Sequence, residues 1–196
     1  VGLFESDPQI GSTYCDVIFF DEIRDRFRMF KSTKPHRGWV LGQLLLKNFM
    51  ASSAMMFRRK ALDHLGCAFD DRFSRAQDYD LTLRMAYHFP ADYVDEPLVK
   101  WRMSGLADKP WKKNLVSRAE EVQSSMESLV DTYPDIKTRF SAELEQFYKT
   151  LDYNLGVAAW LKGERRRARS YLVRYLSDKK FAFVYLCMFL MSGDLF

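Results

Sequence analysis

The residues best suited to chemistry lie together, directly before an apolar pattern. Four charged or amide side chains, Arg75, Gln77, Asp78 and Asp80, precede apolar residues that repeat every four positions, and this repeat predicts a helix over 78–89. A helix N-terminus favours an ionised carboxylate, which is the form that a general base needs. The same place also suits an N-cap and a first-turn acid. For Asp78 a catalytic role and a capping role are therefore both open, and the two are compatible.

Composition narrows the class of protein. The chain has 196 residues, 47% hydrophobic and 29% charged, which is typical of a folded globular chain with a sizeable core. The net charge of +4 is too small to indicate a nucleic-acid partner. The three cysteines, Cys15, Cys67 and Cys187, are far apart, which argues against a zinc site or a disulfide framework and favours a reducing, cytoplasmic location.

Strand and helix signals alternate up to about residue 103, and only helical signals follow residue 110. Residues 104–110, SGLADKP, are rich in turn formers, so we predict two domains, 1–107 and 108–196. Asp80 and Arg84 have the i, i+4 spacing of an ion pair on the helix over 78–89. The first domain is predicted to contain strands over 13–22 and 51–59, helices over 38–49, 59–66 and 78–89, and two short strands over 92–103 that separate at Pro97. The second is predicted to contain helices over 112–132, 136–151, 153–162, 165–176 and 180–191.

An ordered set of short motifs extends from residue 48 to residue 105. In chain order they are Ser52-Ser53, Arg58-Arg59, Leu62, Leu65 and Gly66, Phe69-Asp70, Gln77-Asp78, Tyr79-Asp80-Leu81, Arg84, Tyr93-Val94-Asp95-Glu96-Pro97-Leu98 and Trp101-Arg102. No single motif is specific, but together they resemble the second half of a family 2 glycosyltransferase, a nucleotide-sugar-dependent enzyme of the A-type fold. The resemblance implies an α/β fold: a partial, Rossmann-like A-type glycosyltransferase domain, followed here by an α-helical bundle.

The resemblance also implies a mechanism. Inverting members of the family carry an acidic pair, usually Glu-Asp, and the second acid of the pair deprotonates the acceptor hydroxyl. The hydroxyl oxygen then attacks the anomeric carbon and expels the nucleoside diphosphate. Asp78 stands at that position, and Gln77 replaces the usual first acid. Arg75 and Gln77 are candidates for substrate binding beside it. Trp101 could stack on a sugar and Arg102 could meet a phosphate, although packing and edge-strand roles are open for both.

Two family features are missing from the sequence. The family holds Mg²⁺ or Mn²⁺ through an Asp-x-Asp turn after an early strand, and no such turn occurs in a suitable place here. Where many members carry a histidine after the Trp-Arg pair, this chain has Ser104. We therefore expect a fragment that lacks the donor-binding half and has no metal site of its own. The implied partners are a nucleotide-sugar donor and a glycan or lipid-linked acceptor, in cell-envelope polysaccharide or glycan assembly.

The C-terminal part has a second pattern. Residues 153–190 resemble a tetratricopeptide-like helical pair followed by the start of another, with Gly156, Gly163 and Ala168 at small packing positions. Residues 162–180 carry eight basic and two acidic residues, beside the apolar run 181–191. That run is too short to span a bilayer. Two interpretations of 162–191 are open: contact with an anionic membrane, or an ordinary solvated helix face. For the whole chain, the alternative to an enzyme is a non-catalytic helical scaffold or peripheral membrane module that carries an incomplete transferase half.

Overall fold

The computed structural model describes residues 1–21, 23–103 and 111–191, with side chains throughout except at 111–117 and 188–191. The fold is mixed α/β, as predicted. The strands are β1 (Ser12–Phe20), β2 (Asp25–Arg28), β3 (Met55–Phe57) and β4 (Ala91–Arg102). The helices are α1 (Gly2–Ser6), α2 (Met29–Ser32), α3 (Leu41–Leu46), α4 (Arg59–His64), α5 (Gln77–His88), α6 (Trp111–Thr132), α7 (Ile136–Arg139), α8 (Ser141–Leu161), α9 (Arg165–Leu172) and α10 (Lys179–Met191).

The four strands form one mixed sheet around β1. β1 pairs antiparallel with β3 at its beginning, antiparallel with β2 at its end, and parallel with β4 along its whole length. Gly11, which precedes β1, and the first six residues of the strand, 12–17, are all buried. This burial explains the apolar and β-branched residues of the strand. The exposed and polar β2, with the sequence DRFR, was not predicted because it lacks an apolar face.

The segment predicted as two short strands is one strand, β4. Its pairing with β1 slips on both sides of the Asp16–Pro97 pair, so that the twelve residues of β4 match the nine of β1. Proline has no N–H to donate to the ladder, and a local bulge accommodates it without ending the strand. The prediction of a break at Pro97 was therefore wrong.

One core joins the sheet to the C-terminal helices. The largest cluster of buried apolar side chains contains Tyr14 of β1, Leu44 of α3 and Leu83 of α5 together with Met126 of α6 and Phe147 of α8. Helices alone follow residue 110 in the described residues, as predicted. The boundary between 1–107 and 108–196, together with Ser104, falls outside the described residues, so the division into two domains stays a prediction.

α8 and α9 form a helical hairpin. The predicted break between 151 and 153 is wrong, because α8 runs without interruption to Leu161. The chain turns at Gly163, whose φ of +82° is a left-handed conformation that glycine adopts without steric cost. A Cβ on Gly156 would meet Leu172 Cγ at 2.9 Å, so the missing side chain at Gly156 lets α9 pack closely on α8. Across the described ranges, no helix has both the length and the apolar composition needed to cross a bilayer.

Candidate active site at the start of α5

The helix that carries the candidate base begins at Gln77, and Ala76 is its N-cap residue. The prediction that Asp78 could be the N-cap is wrong, because Asp78 is the second residue of the helix. The Ala76 side chain offers no hydrogen-bond acceptor, and no side chain at this N-cap forms a capping hydrogen bond. The N–H groups of residues 74–76, which precede the first turn of α5, find their acceptor in another part of the chain.

Glu121, on α6, supplies that acceptor. Its Oε2 accepts hydrogen bonds from the backbone N–H groups of Ser74, Arg75 and Ala76 at 3.0, 2.6 and 2.9 Å, and its Oε1 accepts one from Ser74 Oγ at 2.9 Å. Burial on its own would raise the pKa of Glu121, but these four hydrogen bonds outweigh it and lower the pKa below the ordinary value. An ionised carboxylate from α6 thus caps the loop that leads into α5.

Asp80 is buried and is fully engaged by its neighbours. Arg84 donates from Nε to Asp80 Oδ2 at 2.8 Å, which confirms the predicted i, i+4 pair, and Ser125 Oγ donates to Asp80 Oδ1 at 2.9 Å. Arg84 also donates to the backbone carbonyls of Cys67 and Ala68. Asp80 is 4% exposed. Both carboxylate oxygens of Asp80 therefore serve the structure, since they join α5 to α6.

Asp78 differs from Asp80 in both respects. Its side chain is half-buried and not sealed in the interior, and its Oδ1 accepts one hydrogen bond, from the backbone N–H of Tyr79 at 2.8 Å. Within the described part of the chain, no side chain donates to Oδ2 and no cation pairs with this carboxylate. The Asp78 carboxylate is thus oriented by its own helix and keeps one oxygen that can accept a proton.

Gln77, beside Asp78, carries an unpaired acceptor. Its side-chain Oε1 is buried and has no hydrogen-bond partner among the described residues. A buried amide oxygen without a donor is uncommon, because it loses water without replacing it. Gln77 Oε1 is enclosed by the protein, so substrate binding by Gln77 stays a prediction.

The other predicted binding residues lie elsewhere. Trp101 is 52% exposed and packs on Phe19, with ring centroids 5.0 Å apart, and the guanidinium carbon of Arg102 lies 5.6 Å from the centre of the Phe20 ring. No described contact joins either residue to Asp78. Arg75 is exposed, and its backbone N–H is held by Glu121. Substrate binding by Arg75, Trp101 and Arg102 stays a prediction.

The described residues do not offer a divalent-metal site. Among them no group of three or more histidine, cysteine, aspartate or glutamate side chains comes together in a way that could hold a metal ion. Mg²⁺ and Mn²⁺ need several oxygen ligands in a defined geometry, and the metal that the family resemblance implies stays a prediction.

Three residues with structural roles were missed in the sequence: two that contact the start of α5 and one in the sheet. Glu121 and Ser125 lie more than forty positions from the residues that they bind. Asp16 is fully buried on β1 and accepts hydrogen bonds from Arg28 Nε at 2.6 Å and from the backbone N–H of Phe30 at 2.9 Å. An acid inside an otherwise apolar strand was the one available signal, because a buried carboxylate needs partners.

Neither a protein-family model nor a curated protein matches this chain. The function must therefore be argued from the residues at the start of α5.

Proposed function

We propose that this chain provides the acceptor side of an inverting glycosyltransferase that uses a nucleotide-sugar donor, with Asp78 as the general base. The ordered motifs over residues 48–105 support the class of reaction. The half-buried Asp78 carboxylate with one unpartnered oxygen carries the assignment of the base. The buried and fully bonded Asp80, only two residues away, cannot take that role without losing its contacts to Arg84 and Ser125.

The proposed step is a single displacement. The proton of the acceptor hydroxyl passes to Asp78, and the oxygen forms a bond to the anomeric carbon of the donor. The bond from that carbon to the phosphate oxygen breaks on the opposite face, and its electron pair leaves with the nucleoside diphosphate. Gln77 orients a second hydroxyl of the acceptor once its side chain turns out of the buried position that it has in this structure. Residues other than those of the motifs over 48–105 would bind the nucleotide-sugar donor.

The class of reaction is tested with the natural protein that contains this sequence. It is incubated with a panel of nucleotide sugars and with glycan and lipid-linked acceptors, and the product is analysed by NMR for its anomeric configuration. We expect transfer from at least one donor, with a product of opposite configuration to the donor. Retained configuration would contradict a single displacement, and no transfer from any donor would contradict a glycosyltransferase function.

A peripheral membrane module is the second candidate, and the exposed face of α10 favours it. Phe183 is 68% exposed and Leu186 is 53% exposed, and both lie on the same side of the helix as the exposed Lys179. The opposite side packs into the helical part through the buried Phe181. Large exposed apolar side chains beside lysine are typical of a helix that lies on an anionic lipid surface.

Sedimentation with vesicles tests this second candidate. We expect the chain to sediment with vesicles that contain phosphatidylserine, and the Phe183→Ser, Leu186→Ser variant to remain in solution. Phe69→Ser is the matched control, because Phe69 is 55% exposed and lies outside the helical part. Equal sedimentation of all three proteins, or none by the unmodified chain, would contradict membrane contact through α10.

A further inference from the structure

A cavity of about 290 Å³ lies between α3, α5, α6 and α8. The described residues that line it include Tyr79, the neighbour of Asp78 in the chain, but not Asp78 itself. Its inner wall is apolar and is formed largely by Leu44, Phe147 and Leu151, with the ring of Tyr79. A cavity of about 150 Å³ lined by leucine and phenylalanine can hold benzene. The cavity here has room for roughly a ring or a short alkyl chain together with a polar head.

Two exposed cationic side chains line this cavity. Lys47 and Arg118 both line it and are exposed, and within the described part of the chain neither side chain makes a hydrogen bond or an ion pair. The described residues that line the cavity include no carboxylate. The cavity therefore carries a positive charge that no acidic side chain of its lining neutralises, and its charge suits an anion.

The hydroxyl of Tyr79 adds a polar group to the apolar wall. Tyr79 is 6% exposed, and its hydroxyl donates to the carbonyl of Leu44 across 3.4 Å, which is long for an O–H···O hydrogen bond. Burial raises the pKa of Tyr79, and the positive charge of Arg118 acts in the opposite direction. The charge of Arg118 therefore acts on the Tyr79 hydroxyl, which is itself only weakly bonded.

An apolar interior with a few converging polar groups is the usual construction of a small-molecule site. We propose that this cavity binds an organic anion, whose short apolar body packs against Leu44, Phe147 and Leu151 and whose carboxylate or phosphate head is held by Lys47 and Arg118. The proposal does not depend on glycosyl transfer, because it rests on other residues than Asp78 and Gln77. It assigns a second site to the surface where the C-terminal helices meet the α/β part.

Isothermal titration of the full chain with three probes tests the site. The probes are octanoate, octyl phosphate and the neutral 1-octanol, which share one alkyl chain and differ in the head. We expect saturable binding of at least one anion, and binding at least tenfold weaker for octanol, since a neutral head cannot form charge-assisted hydrogen bonds with Lys47 and Arg118. The tighter of the two anions identifies the head as carboxylate or phosphate.

Charge-removing variants complete the test. Lys47→Gln and Arg118→Gln change exposed side chains and should leave the circular dichroism spectrum unaltered, while each weakens anion binding by about tenfold. Lys60→Gln, an exposed lysine on α4 outside the lining, is the control and should bind as the unmodified chain does. Equal affinity for octanol and the anions, unaltered anion binding by the Lys47→Gln, Arg118→Gln double variant, or no binding of either anion at millimolar concentration would overturn the proposal.

Discussion

Arg75 lies in the loop three residues before Asp78, and its backbone N–H donates a hydrogen bond of 2.6 Å to the carboxylate of Glu121 on α6. Through this contact α6 fixes the loop from which α5 begins. The candidate base therefore depends for its position on a residue of the C-terminal helical part. The helices after residue 110 are thus part of the structure that places Asp78, whatever else they do.

Replacing Glu121 by alanine should destabilise the fold. The variant removes the acceptor of three backbone N–H groups and one hydroxyl, and hydrogen bonds to a charged group contribute about 1.5–3 kcal/mol. Unfolding by urea, followed by circular dichroism, measures the free energy of unfolding. The control is Glu145→Ala, which removes an exposed glutamate of α8. A Glu121 variant as stable as the control would contradict the capping role.

The contribution of Glu121 should vary with pH in one direction. Its pKa is lower in the folded protein than its ordinary value of 4.5, so the ionised form stabilises the fold. The contribution is present above that value and is lost as the pH falls through the lower, folded pKa. Urea unfolding of the unmodified chain and of Glu121→Ala between pH 7 and pH 3 checks this. We expect the difference in stability to shrink towards acid pH, and a difference that is constant or grows would contradict it.

Ser125→Ala should be more damaging than the same change at its neighbour Ser124. Ser125 is fully buried and donates to the buried Asp80, whose Oδ1 would lose its side-chain donor, at a cost of about 1–3 kcal/mol. Ser124 is exposed, so Ser124→Ala should change the free energy of unfolding by less than about 0.5 kcal/mol. Thermal or urea unfolding of the pair decides the point. Equal stability of the two variants would show that the Ser125–Asp80 contact contributes nothing.

Gly11→Ala should destabilise the junction between β1, β4 and α4. A Cβ at Gly11 would lie 2.3 Å from Phe89 Cβ, which cannot move without its backbone. Overpacking of this kind costs about 1–3 kcal/mol. Gly2→Ala is the control, because a Cβ there would have no atom within 4 Å. We expect a lower midpoint of urea unfolding for Gly11→Ala alone, and an unchanged midpoint would contradict the tight contact.

Local patterns predicted the elements that carry the candidate site. The four-residue apolar repeat gave α5, the apolar run gave β1, and the i, i+4 spacing gave the Asp80–Arg84 pair. Each of these depends on residues that are close in sequence, so periodicity and spacing are sufficient to indicate them.

Contacts between distant residues could not be predicted in the same way. The N-cap of α5 is Ala76 and not Asp78, and the loop before the helix is held by Glu121, forty-five positions from Ala76. The local sequence, which suggested Asp78 as the cap, could not indicate this contact. The single strand β4 was missed because a bulge against β1 accommodates Pro97. The cavity beside Lys47 and Arg118 exists only where four helices meet. Tertiary packing decides all three, and a single sequence does not reveal it.

The most direct test of the central claim compares Asp78→Asn with Asp71→Asn in the natural protein that contains this sequence. Asp71 is an exposed aspartate in the loop before α5, so its variant controls for the loss of a charge. We expect both variants to unfold at the same urea concentration as the unmodified protein. The rate of nucleoside diphosphate release in the presence of acceptor should fall about 10²–10⁴-fold for Asp78→Asn alone. An unchanged rate for Asp78→Asn would contradict the assignment of this carboxylate as the base.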